Sequence, residues 1–589
     1  MRRLAFSILC LFGCLPVLAD PAFPPGGTPL NDGSPLKSWV DPAVGISSPV
    51  EEGVQQLKIT KADEAKPFLA QISSSIPLSD LAPGDFVLAI IKARSTAGAP
   101  GKIEAKIQLA EAPYTSAADS IAFEPGTAWQ EYPITFRITQ PVGKGGASLA
   151  LLCAAKTQAI EIASVRTQKY PAGTDTSEFP RIRRTYAGRE PDASWRKVAL
   201  DRIEKQRKAD LSLTILASDG KPLANTKIHL KLRRHEFGFG SAVTAELLTA
   251  DTEDGRRYRE IVDRYFSRVV FENDLKDFGW EANASGKAEH LKRLDQAMTW
   301  LEQRHISIRG HYLMQVATPS NLAQVTDPDA IRKHFIDTAT ERLAFANKRV
   351  CEWDVINHPV AWSGADLLSQ RPGLAKLDRE IYHLAEKHSD LPFYVNEDKI
   401  FGPGHEPEGT FAYIQQLKQD GFRVDGLGNQ AHVDDSYLPS PEQVFAVTER
   451  FATLVPHQVI TEFDIVTMND DELAADYTRD LLIACFSHPA YTGFLWWGFW
   501  EGRHWKPGAA SYRKDWTATT RGKVIEQWLG HEWTTNLTLV TDDVGKVSWR
   551  GFPGVYEFVK LDSGSTVSFS VTKLNPTLEL KIGNGDMVE

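Results

Sequence analysis

The chain has 589 residues, of which 42% are hydrophobic and 24% are charged, and its formal net charge is −10. This composition is that of a globular protein long enough for roughly three or four domains, which excludes a disordered or fibrous chain. Lysine and arginine are scattered along the chain, so we expect no nucleic-acid partner. A neutral or weakly charged partner fits the composition better.

The N-terminal residues have the pattern of a secretory signal. Two arginines precede an apolar run over residues 4–18, and Ala19 ends an acceptable small-residue cleavage site. A membrane anchor fits less well, because the run is shorter than the ~20 residues of a membrane span. The sequence LFGC at 11–14 weakly resembles a lipoprotein processing site, which leaves a lipid anchor open. We therefore expect residues 1–19 to be a signal peptide and the mature protein to be secreted or periplasmic.

Three cysteines remain after the signal, and they lie far apart in the sequence, at Cys153, Cys351 and Cys485. Their number and spacing give neither a disulfide framework nor a pair of metal ligands such as CxxC. We expect no cofactor and no metal.

Residues 20–170 favour short strands separated by turns. Runs such as DFVLAIIKAR and WQEYPITFRIT alternate with Pro-Gly and Gly-rich segments, and helical periodicity is nearly absent. This pattern predicts a β-sandwich. The segment resembles the jelly-roll carbohydrate-binding modules that are often attached to polysaccharide-degrading enzymes, with TAWQEYPITF as the most similar phrase. Trp129 in that phrase is either a sugar platform or, as we favour, a core residue at the start of a strand.

Residues 171–235 and 531–589 flank the central region with further β-structure. The first segment contains a linker, an amphipathic helix over 195–208 and two strands joined by the turn at 218–221. The second returns to strand-like runs such as GKVSWRGF and VYEFVKL. We predict that the two segments pack beside the central region as an accessory sheet.

The central region, residues 236–530, repeats a strand followed by a helix. Eight strand-like runs begin 31 to 46 residues apart, at positions 237, 268, 306, 352, 392, 424, 458 and 493. Eight such units predict an α/β fold in which parallel strands close into a (β/α)8 TIM barrel. A doubly wound open sheet is the alternative, but no Gly-rich phosphate loop follows the first strand.

Barrel enzymes carry their chemistry at the carboxyl ends of the strands, and here seven consecutive strand ends carry polar or aromatic residues. Carboxylates, amides and tryptophans that converge on one face are typical of a sugar site, because hydroxyls need hydrogen-bond partners and sugar rings stack on aromatics. From strand 2 to strand 8 these residues are Glu272, Asn273, Asp274 and Lys276; Arg309 and His311; Asn357 and His358; Asn396, Glu397 and Asp398; Gln430 and His432; Glu462 and Asp464; and Trp496, Trp497, Trp500 and Trp505.

The same strand ends resemble the motifs of the family 10 glycoside hydrolases, which are mostly endo-β-1,4-xylanases. FENDLK is similar to ENxMK, IRGHYL to RGHTL, EWDVIN to WDVVN, and YVNE to YYND. DGLGNQAH is similar to DGIGLQxH, VITEFDI to ITELDI, and GFLWWGFWEGRHW to GITVWGVxDxxSW, all in the family's order. The resemblance covers about residues 237–527.

The resemblance implies that Glu462 is the nucleophile of a retaining mechanism, supported by His432 and Asp464. A retaining glycosidase needs such a carboxylate beneath the anomeric carbon, where it forms the glycosyl-enzyme intermediate. By the same resemblance, a further set of residues binds the substrate: Glu272, Asn273, Lys276, His311, Asn357, Gln430, His432, Trp497 and Trp505.

The acid/base half of the site departs from the family pattern. Family members have a glutamate directly after the asparagine of WDVVN, and this chain has His358. Gln315 and Val316 replace the residues that usually follow RGHTL, and Asp398 replaces a tyrosine. Histidine can act as a general acid/base near neutral pH, so His358 is the first candidate for that role.

Two other acids on the next strand, Glu397 and Asp398, are alternative sources of the acid/base carboxyl. Asp354 is a poor candidate, because it lies four residues back inside the strand and is better explained as a buried structural acid.

Two functions remain open at this point. The first is a secreted glycoside hydrolase that cleaves a β-linked polysaccharide with Glu462 as nucleophile and an atypical acid/base. The second is a catalytically inactive polysaccharide-binding protein that keeps the cleft, a hypothesis that rests on His358. In both, the partner is a polysaccharide or oligosaccharide, and we expect a monomer with no membrane association beyond the open lipid anchor.

Overall fold

The computed structural model describes residues 22–31, 35–51, 53–76, 81–109, 111–143, 146–176, 179–182, 184–276, 280, 284–361, 368–467, 470–560 and 566–582. The predicted signal peptide, residues 1–19, lies outside the described residues. The chain divides into two compact units, Met1–Arg184 and Thr185–Glu589.

The first unit is a β-sandwich of antiparallel strands. One sheet has the strand order β3-β4-β11-β6-β9 with β1 paired to β11, and the other has the order β2-β5-β10-β7-β8. Side chains of both sheets form one core, which confirms the predicted sandwich. The strands are β1 Thr28–Asn31, β2 Lys37–Val40, β3 Gly45–Glu51, β4 Val54–Ile59, β5 Ala70–Ile76, β6 Phe86–Ser95, β7 Ile103–Leu109, β8 Ile121–Phe123, β9 Gln130–Arg137, β10 Ala147–Leu152 and β11 Gln158–Tyr170.

Trp129 does not belong to this core, so the favoured interpretation of it was wrong. It lies just before β9, is half-buried, and carries the Arg94 guanidinium 4.6 Å from its ring centroid. The sandwich core takes its aromatic side chains from other positions, including Phe123 and Phe136.

The second unit contains sixteen strands within its described residues. They are β12 Ala209–Leu216, β13 Lys227–His235, β14 Gly238–Val243, β15 Arg268–Phe271, β16 Ser307–Gln315, β17 Glu352–Asn357, β18 Phe393–Glu397, β19 Gly426–Asn429, β20 His432–Asp434, β21 His457–Val466, β22 Tyr491–Trp496, β23 Asn536–Val540, β24 Lys546–Gly551, β25 Gly554–Lys560, β26 Thr566–Val571 and β27 Thr577–Lys581.

Eight of these strands form a closed parallel barrel. The order runs β19-β18-β17-β16-β15-β14-β22-β21, and the additional pairing of β19 with β21 closes the ring. Each strand begins within two residues of its predicted start, so the (β/α)8 barrel is confirmed. The strands are buried along most of their length because both of their faces are covered. The short strand β20 pairs with β21 beyond the ring.

Helices alternate with the barrel strands, as the period of the sequence predicts. Among the described residues they are α1 Ser194–Gln206, α2 Ala245–Thr249, α3 Glu253–Tyr265, α4 Ala284–Glu302, α5 Pro328–Ala346, α6 Leu377–His388, α7 Glu406–Gln419, α8 Pro441–Ala452, α9 Asp471–Ser487 and α10 Thr520–Gln527, with short turns of other helix types at Ser320–Leu322, Leu368–Gln370, Pro507–Ala509 and Trp528–Glu532. None of the helices in the described ranges combines the length and apolar character of a bilayer span.

The segments before and after the barrel pair with each other, as predicted, but they form two sheets. One has the order β24-β12-β27 and the other the order β23-β13-β25-β26. The strands β12 and β13 belong to different sheets, although they are joined by the predicted turn. A single bridge joins Leu216 and Pro222 at the turn. Beyond it the two strands pair with C-terminal strands and not with each other: β12 pairs with β24, and β13 pairs with β25.

A buried charge cluster fills the barrel interior beneath the carboxyl ends of the strands. Arg309 on β16 is fully buried and donates hydrogen bonds to Glu352 and Asp354, both on β17. Its guanidinium also lies 4.5 Å from the ring centroid of Tyr394 on β18. Because a buried arginine needs acceptors for its donors, this cluster holds β16, β17 and β18 in a fixed register below the candidate site.

Candidate active site

A cavity of about 590 Å³ opens at the carboxyl ends of the barrel strands. It brings together every residue predicted to catalyse or to bind substrate, while Asp464 lies behind His432. The lining residues are Glu272, Asn273, Lys276, His311, Tyr312, Gln315, Ala317, Pro319, Asn357, His358, Asp398, Gln430, His432, Glu462, Trp497 and Trp505.

Glu462 on β21 is buried and held from three sides. Asn396 donates a hydrogen bond from Nδ2 to Oε1 at 2.7 Å. Nε2 of His432 lies 3.4 Å from Oε2, and Nε2 of His311 lies 3.9 Å from Oε1. Burial alone would raise the pKa of this carboxyl, but the hydrogen bond from His432 and the positive charges around it lower the pKa to about 2. Glu462 is therefore ionised at neutral pH.

His432 bridges two carboxylates. Its Nδ1 lies 3.0 Å from Oδ2 of Asp464, opposite the nitrogen that faces Glu462. Burial opposes the charged imidazolium, yet the two carboxylates outweigh it and raise the pKa of His432 to about 9. Asp464 also accepts hydrogen bonds from Trp505 Nε1 at 2.8 Å and from Lys506 Nζ at 3.1 Å. A protonated His432 thus supports an ionised Glu462.

His311 is tied to the buried charge cluster. Its Nδ1 lies 2.9 Å from Oδ2 of Asp354, which fixes the ring so that Nε2 points toward Glu462. Burial lowers the pKa of His311, so a neutral ring faces the cavity. Asp354 is fully buried between His311 and Arg309, as the prediction of a buried structural acid requires.

A chain of amide hydrogen bonds runs from Glu462 to His358. Asn396 Nδ2 donates to Glu462 and also to Oδ1 of Asn357, at 2.9 Å. Gln430 Nε2 donates to the same Asn357 oxygen at 3.2 Å and lies 3.1 Å from Nε2 of His358. Because an ionised carboxylate can only accept hydrogen bonds, Asn396 must direct its amide N–H group at Glu462. Asn357 Oδ1 then accepts from Asn396, and the Gln430 nitrogen beside it must also be a donor.

His358 follows β17 directly and is buried. Its backbone adopts a φ of 57°, a left-handed conformation in which histidine is among the more frequent non-glycine residues. The side chain lies between Gln430, which approaches Nε2, and Glu397, whose Oε1 is 3.4 Å from Nδ1.

The two acids that follow His358 on the neighbouring strand have different surroundings. Glu397 is fully buried, and its two oxygens accept the backbone N–H groups of Val360, Ala361 and Asp398. Asp398 is half-buried and lines the cavity. Burial raises the pKa of Asp398, and the nearby His432 opposes that shift.

The outer wall of the cavity comes from β15 and β22. Lys276 Nζ lies 5.2 Å from the ring centroid of Trp497 and 5.8 Å from that of Tyr312, so the cation is held over two aromatic faces. Burial raises the pKa of Glu272, against the charges of Arg503 and Lys276. Trp505 is half-exposed at the rim, as an aromatic platform must be if it is to meet a sugar ring.

Some residues of the site were not assigned a role from the sequence. Asn396 was noted only as a polar residue at a strand end, and nothing in the sequence indicated a role for Lys506. In the sequence, Tyr312 cannot be distinguished from any other aromatic residue of a strand. Of the tryptophans at the last strand, Trp500 stacks on Trp516 at 4.6 Å and does not line the cavity.

A metal site is absent from the described part of the chain, where no three His, Cys, Asp or Glu side chains form a group that could hold an ion. Glu462 is engaged instead by histidine and amide donors, and Asp464 behind it by a lysine donor.

Comparison with known proteins identifies the barrel. Residues 230–521 match the model of Glycosyl hydrolase family 10, which confirms the resemblance seen in the strand-end motifs. Among curated proteins, the anti-sigma-I factor RsgI6 of Acetivibrio thermocellus is 28% identical over 67% of this chain and 49% of its own length. Endo-1,4-beta-xylanase 2 of Arabidopsis thaliana is 24% identical over 64% of this chain and 35% of its own length. The chain thus spans half or less of these two relatives.

Among solved structures, xylanase 10B from Thermotoga petrophila in complex with xylobiose is 19% identical, with a TM-score of 0.43, over 50% of this chain and 95% of that one. The CBM22-1-GH10 modules of Clostridium thermocellum Xyn10B, complexed with xylohexaose, are 11% identical with a TM-score of 0.41. That match covers 86% of this chain and 95% of the other.

Proposed function

Because residues 230–521 of this chain belong to glycosyl hydrolase family 10, we propose that the protein is a glycosidase that hydrolyses a β-1,4-linked, xylan-type polysaccharide with retention of configuration. Glu462 is the nucleophile. The observation that carries this proposal is the position of the Glu462 carboxylate in the cavity wall, where Asn396 donates to Oε1 at 2.7 Å and His432 Nε2 lies 3.4 Å from Oε2, contacts that favour the charged form. A retaining nucleophile must be charged and fixed in orientation before the substrate arrives.

The walls of the cavity fit a sugar chain. Lys276 and Asn273 offer donors to hydroxyl oxygens, and Trp497 and Trp505 offer faces to the C–H surfaces of the rings. A volume of about 590 Å³ is that of a small-molecule site, so the cavity accepts a short stretch of the polymer, and the rest lies outside it.

The proposal is tested with the purified full chain on xylan and on xylohexaose. We expect wild-type turnover, and Glu462→Gln should lower it by a factor on the order of 10⁴ to 10⁶, the size of loss that follows removal of a hydrolase nucleophile. Glu442→Gln, a change of the same type at an exposed position of α8, serves as the control and should keep wild-type rates. Equal rates for wild type and Glu462→Gln would reject the assignment.

A second function, polysaccharide binding without turnover, is favoured by His358 at the position where the family has its acid/base glutamate. Calorimetric titration with xylohexaose decides between the two. Binding without product in a long incubation of the wild type would establish the second function, and product formation abolished by Glu462→Gln would exclude it.

We also propose that the protein acts outside the cytoplasm, because residues 1–19 have the pattern of a secretory signal. N-terminal sequencing of the protein recovered from a bacterial host's periplasm or medium should start at Asp20. A lipid-modified chain that starts at Cys14 would show the anchored alternative, and an intact N-terminus would contradict export with cleavage.

A further inference from the structure

Cleavage of a sugar–sugar bond needs a second group that protonates the leaving oxygen, and three side chains at the ends of β17 and β18 are candidates. They are His358, Glu397 and Asp398. The contacts of the three side chains distinguish which of them can act as the acid.

Glu397 has no oxygen directed at the cavity. It is fully buried, and Oε2 accepts the N–H groups of Val360 at 2.7 Å and Ala361 at 3.2 Å. Oε1 accepts the N–H of Asp398 at 2.8 Å and lies 3.4 Å from His358 Nδ1. Both oxygens are thus engaged by backbone N–H groups, so Glu397 holds the loop after β17 and presents no oxygen to a substrate in the cavity.

His358 is held as a hydrogen-bond acceptor at the nitrogen that faces Gln430. The amide chain that starts at ionised Glu462 makes Gln430 Nε2 a donor, so His358 Nε2 receives that hydrogen bond at 3.1 Å. The ring proton is then on Nδ1, on the side of Glu397 Oε1. An imidazole in this tautomer has no proton at Nε2 to deliver to a leaving group.

Asp398 differs from both. Unlike Glu397 it lines the cavity, with Glu462 and His358, and unlike His358 it is not part of the amide hydrogen-bond chain. Its Oδ1 accepts the N–H of Lys399 at 2.7 Å, which fixes the orientation of the carboxyl. The titratable groups that act on it are His358, His432 and Glu462. Its burial favours the protonated form, which a general acid must have at the start of the reaction.

We propose that Asp398 is the acid/base residue of this active site, in place of the glutamate that the chain lacks at position 358. This inference rests on the proposed glycosidase function. In the first step, a Glu462 oxygen bonds to the anomeric carbon, the bond from that carbon to the glycosidic oxygen breaks, and the Asp398 proton goes to that oxygen. In the second step, a water molecule gives a proton to the Asp398 carboxylate and the water oxygen bonds to the anomeric carbon. The ester bond between that carbon and Glu462 breaks.

The test compares Asp398→Asn with wild type on two substrates, xylohexaose and 2,4-dinitrophenyl β-xylobioside. The dinitrophenolate leaves without protonation, so only xylohexaose needs the acid. We expect kcat/KM on xylohexaose to fall by ~10² to 10⁴, the usual contribution of a general acid, while kcat/KM on the aryl substrate changes little. On the aryl substrate kcat and KM should fall together, because the glycosyl-enzyme accumulates when the base is missing.

Sodium azide provides a second readout that a merely structural role would not move. The azide anion attacks the glycosyl-enzyme without a base, so it should raise kcat of Asp398→Asn on the aryl substrate and give β-xylobiosyl azide. The wild type should not respond. Asp434→Asn is the matched control, since Asp434 also accepts a neighbouring backbone N–H with Oδ1 but is exposed and outside the cavity. It should behave as wild type.

Unchanged turnover of xylohexaose by Asp398→Asn would overturn the inference and leave the glycosidase function intact. If His358→Gln, and not Asp398→Asn, lost activity on xylohexaose alone and responded to azide, the acid/base role would belong to His358. A wild type that turns over neither substrate would overturn both the proposed function and this inference.

Discussion

Asn396 donates a 2.7 Å hydrogen bond to the carboxylate of Glu462 and thereby joins the ends of β18 and β21. The orientation of its amide is fixed from the other side, since Thr461 Oγ1 donates to Asn396 Oδ1 at 2.7 Å. Asn396 therefore presents only its donor side to Glu462. A donor that cannot rotate away stabilises the charged form of the carboxylate.

Replacement of this donor by an acid tests its contribution to the charge of Glu462. We predict that Asn396→Asp raises the pKa of Glu462 by about one unit or more, because two carboxylates would share one site. The acid limb of the kcat/KM profile on xylohexaose should move to higher pH by the same amount. Asn575→Asp, at an exposed loop before β27, should leave the profile in place. An unmoved limb in Asn396→Asp would contradict the role assigned to the amide.

The barrel and most of the site could be predicted from the sequence because both depend on local patterns. Strand-like runs at regular intervals predict the eight strands, and polar residues directly after each run mark the mouth of the barrel. The connection between β12 and β13 could not be predicted in this way. Their partners lie more than 300 residues away in sequence, and the turn at 218–221 looks like that of a hairpin.

The division of roles among neighbouring acids was also out of reach of the sequence. Glu397 and Asp398 are adjacent carboxyls at one strand end, and only the fold decides that three backbone N–H groups meet the first while the second faces the cavity. Lys506 reaches Asp464 from a loop whose path has no local signature. Side chains placed by loops depend on the whole fold and not on the residues around them.

The pair His432 and Glu462 should make stability depend on pH at both ends. The pKa of His432 rises from 6.5 to about 9 on folding, so its contribution is complete below about 6.5 and is lost as pH rises through about 9. The pKa of Glu462 falls from 4.5 to about 2, so its contribution is complete above about 4.5 and is lost as pH falls toward about 2.

Urea midpoints of the barrel measured from pH 3 to pH 10 check this dependence. We expect His432→Gln to weaken the loss of stability between about pH 6.5 and pH 9 relative to wild type, and Glu462→Gln to weaken the loss below about pH 4.5. His383→Gln, at an exposed histidine of α6, should retain the wild-type curve. Identical curves for wild type and His432→Gln would show that the histidine is not held protonated by its neighbours.

Restoring the family's usual residue at position 358 should not restore ordinary activity. We predict that His358→Glu lowers kcat/KM on xylan by roughly 10-fold, or ~1.4 kcal/mol of transition-state stabilisation. The new carboxylate would lie beside Glu397 and near Asp398, and glutamate is less common than histidine at the positive φ of this position. His358→Gln, which keeps an acceptor for Gln430, should retain most of the activity. Higher activity in His358→Glu would point to a conventional site.

Among the side chains at the floor of the barrel, removal of Arg309 should lower the free energy of unfolding the most. It is fully buried between Glu352 and Asp354, so Arg309→Met would leave two buried carboxylates without their main donor. Breaking such a cluster costs ~3 to 5 kcal/mol, whereas the exposed Arg257→Met should cost ~0 to 1 kcal/mol. Urea denaturation followed by tryptophan fluorescence measures both. Adding Asp354→Asn to Arg309→Met should recover part of the loss, because one unpaired charge is removed. If Arg309→Met were as stable as Arg257→Met, the cluster would not be what fixes β16 against β17.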